Sequence, residues 1–339
     1  MKRLVSILIP AFNAEATIAK TIESVINQTW ATREVIVVDD GSTDRTLAIA
    51  RRFASQSVAV VSDPNRGAAA ARNKAYSMCQ GEYIQWLDAD DILAPEKIKK
   101  QMDAVLAGAT PRTLLSSGWA RFFHRIDRAT VVRTPLWCDL SPVEWLVRKL
   151  GDDLYMPQAT WLVGRSLADA AGPWDVRLSL DDDGEYFSRV VAASETIRFI
   201  PEVMMFYRRN VDSLSSIDCS NSKIESQFLA IRLQSDRLLS LENSERTKAA
   251  CLKFLNAYAA VFYPDRPDLF EELQELAATL GGKLAPRLSW KYSWIQKMFG
   301  WRAAKQMQRR YNKLKTRMLS FLDGARLFER ERVQNAHLN

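Results

Sequence analysis

Histidine is nearly absent from this chain of 339 residues: His124 and His337 are the two it has. Two residues cannot build a multi-histidine metal centre or a relay of imidazole proton transfers, so acid–base work falls to carboxylates. Cysteine is also sparse. Cys79, Cys138, Cys219 and Cys251 are scattered without a C-x-x-C pair, which speaks against a disulfide framework or a structural zinc site. A reducing cytoplasm is the compartment this usage suggests. No run reaches the ~18 uninterrupted apolar residues of a membrane span. The chain enters a strand-like run at Leu4-Val5 without a separate hydrophobic segment and cleavage site, so no signal peptide is expected. Internal repeats and low-complexity tracts are missing as well.

What is present is strand–helix alternation. Leu4 to Ile9, Glu34 to Val38, Val58 to Val61 and Tyr83 to Leu87 read as buried strands, the first closed by Pro10. Between them, Thr17 to Asn27 carries apolar residues at helical spacing, a second helix runs through Leu47 and Ala50, and Gly67 to Met78 is a helix of small residues. Such alternation predicts an α/β fold whose parallel sheet binds ligands beyond the carboxyl ends of its strands. Beyond about Gly108, Thr113 to Arg125 and Thr130 to Arg133 read as strands or a hairpin. Ser141-Pro142-Val143-Glu144 supplies an N-cap, a first-turn proline and a capping-box acid. The acidic run Asp181 to Glu185 precedes the helix-like Tyr186 to Ala193. After Asn210 the chain turns helical, with Lys223 to Leu241 and Arg246 to Phe262 as candidates.

Polar residues gather at the strand ends, most densely in Asp88-Ala89-Asp90-Asp91. If the strand continues, side chains two apart share a face, and Asp88 and Asp90 can converge on one point. A hard cation relieves their repulsion, and Mg²⁺ commonly takes one or two carboxylates plus substrate phosphates. The competing reading is a solvated turn, with Asp90 or Asp91 favouring the start of the helix opened by Pro95-Glu96.

Four segments taken together resemble glycosyltransferase family 2: Ser6 to Asn13 with Glu15, Val37 to Asp44, Asn65 to Asn73, and Gly81 to Asp91. The resemblance implies an α/β GT-A nucleotide-diphospho-sugar transferase fold with a mostly parallel central sheet, plus a helical C-terminal extension. It divides the chain into a catalytic domain, 1–210, and a helical C-terminal region with a basic tail, 211–339. Within the former, about 1–107 is the nucleotide-binding half and 108–210 the acceptor-binding half. It further implies that Pro10, Phe12, Asn13 and Glu15 lie along the nucleotide, with Phe12 offering an aromatic face to the base. Asp40 would accept the base's N–H, as an acceptor-only carboxylate can. Asp44 belongs instead to the first turn of its helix. Arg72 is placed near the diphosphate. Asp88, Ala89 and Asp90 line the donor site, with Asp90 the direct Mn²⁺ or Mg²⁺ ligand, Asp88 on the ribose or the metal's shell, and Asp91 in support. Aligning Arg189 with the family's helix arginine puts Asp183 at the general-base position, Asp182 before it, and leaves Asp181 as a third candidate. Trp161 and Gly172 to Asp175 fit the acceptor region, although these aromatics could equally be core.

The implied activity is metal-dependent, inverting transfer from a nucleotide-diphosphate sugar, UDP-linked in this reading, to a hydroxyl acceptor in surface polysaccharide or lipid-linked glycan synthesis. The alternative is a non-catalytic, membrane-associated regulatory module that binds the nucleotide sugar. The net charge of +7 is uneven: from Lys283 onward there are about fourteen Lys/Arg against about three Asp/Glu. There Trp290, Trp294, Met298 and Trp301 interleave with Lys291, Lys297, Arg302, Lys305, Arg309, Arg310, Lys313, Lys315 and Arg317. As a helix, this segment would lie on an anionic membrane, on its cytoplasmic face, or pack its tryptophans onto the catalytic domain. No motif supports a nucleic-acid partner.

Overall fold

A computed structural model describes residues 3–210 and 220–336, with side chains through Gly324; Cys219 and His337 lie outside the described residues. Nine strands are described: β1 (Val5–Ala11), β2 (Arg33–Asp39), β3 (Val58–Ser62), β4 (Tyr83–Trp86), β5 (Ile92–Leu93), β6 (Thr113–Phe122), β7 (Thr130–Val131), β8 (Val163–Gly164) and β9 (Thr196–Arg208). Five form a sheet in the order β3-β2-β1-β4-β8, parallel except for the edge strand β8. The apolar runs of β1 and β2 are buried along almost their whole length, as strands covered on both faces must be. The first strand outlasts its expected stop at Pro10. β4 pairs with β1 only through Leu8, so the missing proline N–H falls beyond the ladder it would have interrupted.

The second sheet, β5-β9-β6-β7, is mixed. β6 does turn into a short hairpin with β7, but its main partner is the distant β9, which runs parallel to it. Their register breaks between Ser117 and Gly118, where β9 passes through Pro201. A bulge accommodates a residue that cannot donate to the ladder. β5 joins β9 directly after the acidic loop, tying that loop to the second sheet.

The helices are α1 (Ile18–Ile26), α2 (Thr46–Arg51), α3 (Ala68–Met78), α4 (Lys97–Leu106), α5 (Pro142–Gly151), α6 (Arg165–Ala171), α7 (Asp182–Ala193), α8 (Asn221–Leu241), α9 (Glu245–Phe262), α10 (Pro267–Thr279) and α11 (Ser293–Ala336). α5 starts as its sequence announces: the Ser141 hydroxyl accepts the Glu144 N–H at 3.3 Å, and Pro142 takes the first turn. Glu144 itself turns outward to Arg148 at 2.7 Å instead of back to the cap. α7 starts earlier than its periodicity suggests, so the acidic run lies inside its first turn. α11 is interrupted at Gly300 (φ 81°, ψ 174°), a conformation essentially reserved for glycine. Among the described residues no helix is long and apolar enough to cross a membrane.

Candidate active site

The loops that leave β1 and β2 are laced together at the carboxyl edge of the sheet. Asn13, in the left-handed region, accepts the Thr43 N–H (2.9 Å) and donates its own N–H to the Ser42 hydroxyl (3.0 Å). The Ala14 N–H reaches the Thr46 hydroxyl at 2.7 Å. Glu15 accepts both the backbone N–H and the Nε of Arg45 at 3.1 Å, and these bonds hold its carboxyl below the usual range. Asp44 accepts the Thr46 N–H (2.9 Å), but it stands one residue before the N-cap Arg45 and so lies just outside the first turn of α2 where it was expected. Asn13 and Glu15 are thus occupied with loop architecture. Pro10 is buried within β1, and Phe12, 42% exposed, is a large apolar side chain that the loop turns outward.

Asp40 is buried and faces the loop before α3. Its two oxygens accept the N–H groups of Arg66 (2.8 Å) and Gly67 (2.9 Å). Gly67 has φ 93° and ψ 161°, so the carboxylate fixes a turn that only glycine adopts readily. That turn launches α3 and, one turn later, Arg72.

Arg72 is the joint of the site. It is 5% exposed, and its two terminal nitrogens reach in different directions, to Asp182 (2.6 Å) and Asp88 (2.9 Å). The guanidinium lies 4.4 Å from the centre of the Trp174 ring. Burial opposes its charge, but Asp182 and Asp88 outweigh that cost and hold its pKa above the ordinary value. Two acidic clusters far apart in sequence therefore share one cation. Trp174 in turn stacks on Tyr186 at 4.0 Å and 5°, and Asn73 clamps the Trp174 backbone from both sides (2.8 and 2.9 Å). Trp174 and Trp161 are buried; they are the floor beneath the site and not a platform open to an acceptor.

The acidic loop departs from its strand-like reading. β4 ends at Trp86, and the Asp91 N–H turns back to the Asp88 carbonyl at 3.1 Å, so the alternation of strand faces does not govern Asp88 and Asp90. Nor does either Asp90 or Asp91 open the next helix, since α4 begins at Lys97 behind Glu96. Asp88 also accepts from the Gln158 amide. Asp90 accepts from Asn210 (2.5 Å), while its carbonyl takes the Nε of Arg208 (2.9 Å). Removal from water, and then the charge of Asp88, pushes the Asp90 pKa up to about 6. Asp91 is buried, accepts the Arg208 N–H at 2.9 Å with one oxygen and leaves the other without a partner. Burial and its acidic neighbours hold it well above the usual range. Ala89 is buried between them, its carbonyl taken by the Thr21 hydroxyl at 3.0 Å.

The sequence reading implied a divalent cation here, and two observations test the fit. Asp90 and Asp91 are held above the usual carboxylate range first by removal from water and then by their acidic neighbours, a cost that a bound cation would relieve. Among the described residues, no three His, Cys, Asp or Glu side chains form a metal-binding group. Asp88 and Asp90 therefore fit a cation whose shell is completed by phosphate oxygens, the habit of Mg²⁺, better than an ion held by protein ligands alone.

At the start of α7 the three aspartates separate by direction. Asp181, with φ 57°, accepts from Gln234 (2.7 Å) and Gln227 (3.3 Å) on α8. Asp182 belongs to Arg72. Asp183 accepts the N–H of Gly184 (2.9 Å) and has no side-chain partner among the described residues. Burial, then Asp182 and Asp181, against the opposing pull of Arg72, pushes its pKa up to about 7. Arg189 pairs with Glu185 at 2.8 Å on the same helix.

Several members of the site carried no sequence signal. Gln158, Arg208 and Asn210 come from segments 70 to 120 residues away from the aspartates they hold. Tyr207 lies within reach of both clusters: burial, then Asp91, Asp90, Asp88 and Asp183, raises its pKa above the ordinary value. Its ring packs edge-on against Tyr155, 43% exposed, at 5.9 Å. Nothing in the sequence pattern singled out either tyrosine.

Comparison with known proteins places this geometry. Residues 6–111 match the model described as "Glycosyl transferase family 2". Over 104 residues the chain is 39% identical to an Escherichia coli protein named UDP-Glc:alpha-D-GlcNAc-diphosphoundecaprenol beta-1,3-glucosyltransferase WfgD. That match covers 30% of this chain and 41% of the relative. An Escherichia coli chondroitin synthase is 42% identical over 102 residues, 30% of this chain and 15% of that protein. The chain thus matches less than half the length of these curated relatives. Among solved structures, S. aureus TarS 1-349 in complex with UDP-GlcNAc superposes with a TM-score of 0.64 at 19% identity, covering 83% of this chain and 81% of that one. What is shared at that identity is the fold, which is GT-A.

Proposed function

We propose, from the membership of residues 6–111 in glycosyltransferase family 2, that this chain is an inverting transferase moving a sugar from a UDP-linked donor to a hydroxyl acceptor. The observation that carries the reading is Arg72 held between Asp88 and Asp182. One buried cation ties the loop suited to a diphosphate to the helix start suited to an acceptor's base.

The roles follow from the remaining bonds. Asp181 is engaged with α8 and Asp182 with Arg72, which leaves Asp183 to take the acceptor proton. A carboxyl with a pKa of about 7 suits a general base working near neutrality. The freed oxygen attacks the anomeric carbon from the face opposite the leaving nucleoside diphosphate, so configuration inverts. Arg72 acts on that leaving group from beneath Asp88 as a fixed positive charge. A Mn²⁺ or Mg²⁺ held by Asp90 and Asp88 would supply further neutralisation of the diphosphate when bound. Phe12 offers a face to the base at the opposite edge, and the exposed ring of Tyr155 offers one to a sugar of the acceptor.

Support for UDP comes from S. aureus TarS, the similar structure known in complex with UDP-GlcNAc and with UDP. A relative named for a diphosphoundecaprenol-linked acceptor supports a lipid-linked glycan, and the basic tail supports a peripheral position on the cytoplasmic face of a membrane. The test is nucleoside-diphosphate release across a set of nucleotide sugars, with Mn²⁺ or Mg²⁺ and with chelator. Turnover that requires the cation and disappears in Asp183→Asn and Asp90→Asn supports the reading. Tight UDP binding without turnover on any acceptor favours a non-catalytic nucleotide-sugar-binding module instead.

A further inference from the structure

The C-terminal helix has two unlike faces. Before the break at Gly300, Tyr292 and Ile295 turn inward, 9% and 7% exposed, and cluster with Ala304 from beyond the break. On the other side Trp290, Trp294, Met298 and Phe299 are 79%, 58%, 70% and 64% exposed. Residues four apart share a helix face, so Trp294 and Met298 make one outward apolar ridge on α11, and Trp290, in the 3-10 turn that precedes the helix, is exposed as well. After the break, Met307, Tyr311, Leu314 and Met318 repeat at helical spacing and are 48% to 64% exposed. A soluble protein rarely leaves so continuous an apolar stripe in water.

This stripe is not a core face awaiting its own domain, because the helix is already seated. The Lys305 ammonium, 5% exposed as a residue, reaches Asp265 (2.7 Å) and the carbonyls of Tyr263 (2.9 Å) and Val261 (3.1 Å), and Trp301 meets the Tyr263 ring at 5.2 Å. Further along, Ser320 lies 3.0 Å from His124, and Asp323 accepts the N–H groups of His124 (2.9 Å) and Arg125 (3.2 Å). The two moorings are about 22 Å apart along the helix axis. Trp301 and Lys305, which the sequence grouped with the lipid-facing residues, are thus part of the seat. The far mooring borders the donor site: next to His124, the Phe123 carbonyl holds Arg208 at 3.0 Å, and Arg208 holds the Asp90 carbonyl.

We infer that the outward face of α11 and the turn before it docks on an anionic lipid bilayer, with Trp290, Trp294 and Met298 entering the interface. Charge selects this occupant. Lys291, Lys297, Arg302, Arg310, Lys315 and Arg317 flank the stripe, and between Lys283 and Gly324 the one acid, Asp323, is committed to the seat. A second copy would set cation against cation, whereas an anionic leaflet attracts each basic residue and accepts indole rings at headgroup depth. The inference rests on the proposed transferase only for its use, since a lipid-linked acceptor would be met at the surface where the enzyme sits.

Sedimentation with phosphatidylcholine vesicles, with and without phosphatidylglycerol, is the test. The full chain should bind the anionic vesicles, lose binding as salt rises and show blue-shifted tryptophan emission when bound. Trp290→Ala/Trp294→Ala/Met298→Ser should lower partitioning about tenfold or more. Its melting temperature and its nucleoside-diphosphate release with a soluble acceptor should stay unchanged. Equal binding by wild type and variant overturns the inference, as does indifference to phosphatidylglycerol. A dimer in analytical ultracentrifugation that the variant abolishes would also overturn it. Vesicle binding without any turnover would overturn the transferase reading alone.

Discussion

Replacing Arg72 by methionine removes the charge that joins the two acidic clusters while keeping most of the volume over Trp174. A hydrogen bond to a charged group contributes about 1.5–3 kcal/mol. The Asp182 arm, 2.6 Å long with side chains 6% and 18% exposed, deserves the upper part of that range. The Asp88 arm has a carboxylate 36% exposed and is discounted for solvent screening to about 1 kcal/mol. Loss of the contact with Trp174 adds about 1 kcal/mol. Relief from burying the guanidinium offsets part of the total. A net destabilisation of about 3 kcal/mol follows, roughly 4 °C in melting temperature for a chain of this size. Arg72 also opposes the elevation of the Asp183 pKa, so its loss should move the acid limb of kcat/KM upward from about pH 7. Thermal melts at low ionic strength and a pH–rate profile of Arg72→Met measure both effects. Arg72→Lys should restore part of the stability but not the two-way geometry, because an ammonium lacks the planar fork. A melt within 1 °C of wild type together with an unmoved acid limb would refute the reasoning.

Asp183→Asn should lower kcat by roughly 10²–10⁴ while leaving donor affinity intact; in wild type, kcat/KM should rise with unit slope and level off near pH 7, and a flat profile would remove Asp183 from the base position. Asp40→Asn turns an amide N–H towards Arg66 or Gly67, so urea titration should show a loss of about 1–3 kcal/mol and donor KM should rise; unchanged values would mean that Asp40 does not fix the turn before α3. Lys97 is fully buried against the amide oxygens of Gln85 (2.6 Å) and Gln101 (2.8 Å), and burial holds its pKa well below the usual 10.5. The unfolded chain then binds more protons between those two pKa values, so wild type gains stability as pH rises through that window. Lys97→Met should lack this gain, and parallel urea midpoints against pH for the two proteins would count against it.

The parallel sheet was legible because strands covered on both faces read as near-continuous apolar runs, and β1, β2 and β4 do so apart from Ser6, Gln85 and the polar ends of β2. Pro10 misled by two residues, since its cost depends on whether the strand its missing N–H would face still pairs at that level: β2 does pair there, but β4 had already ended. The β6–β9 pairing could not be read: 113–122 and 196–208 are far apart in the chain, and nothing local distinguishes a hairpin strand from one that pairs with a late arrival. The same limit hid Gln158, Arg208 and Asn210. In the tail, periodicity announced a helix rich in tryptophan and lysine, but Gly300 divides it. Trp301 and Lys305 fall on the seated side of that break, so composition alone grouped residues whose environments are opposite.

The three aspartates at 181–183 show where sequence reasoning stops and geometry continues. Asp182 and Asp183, in the first turn, are turned about 100° from one another, and Asp181 before them has a left-handed backbone (φ 57°), so three identical side chains face three different surroundings. Composition therefore gives them equal standing, while the fold does not. Asp181 meets the amides of α8, Asp182 meets the guanidinium presented by α3, and Asp183 is left with a backbone N–H of its own helix. A base must be a carboxylate whose proton affinity is raised and whose oxygen is not spent on a fixed cation. Asp182 is tied to such a cation, and Asp181 is tied to α8 through two glutamines. The assignment of Asp183 thus depends on Gln234 as much as on the acidic run itself. Replacing Gln227 and Gln234 together by Ala should free Asp181 without touching Arg72, altering the acid limb of kcat/KM through the charge near Asp183 while leaving donor affinity alone. If turnover in that variant became independent of Asp183, so that adding Asp183→Asn cost nothing further, Asp181 would be the base and the elimination argued from α8 would be wrong.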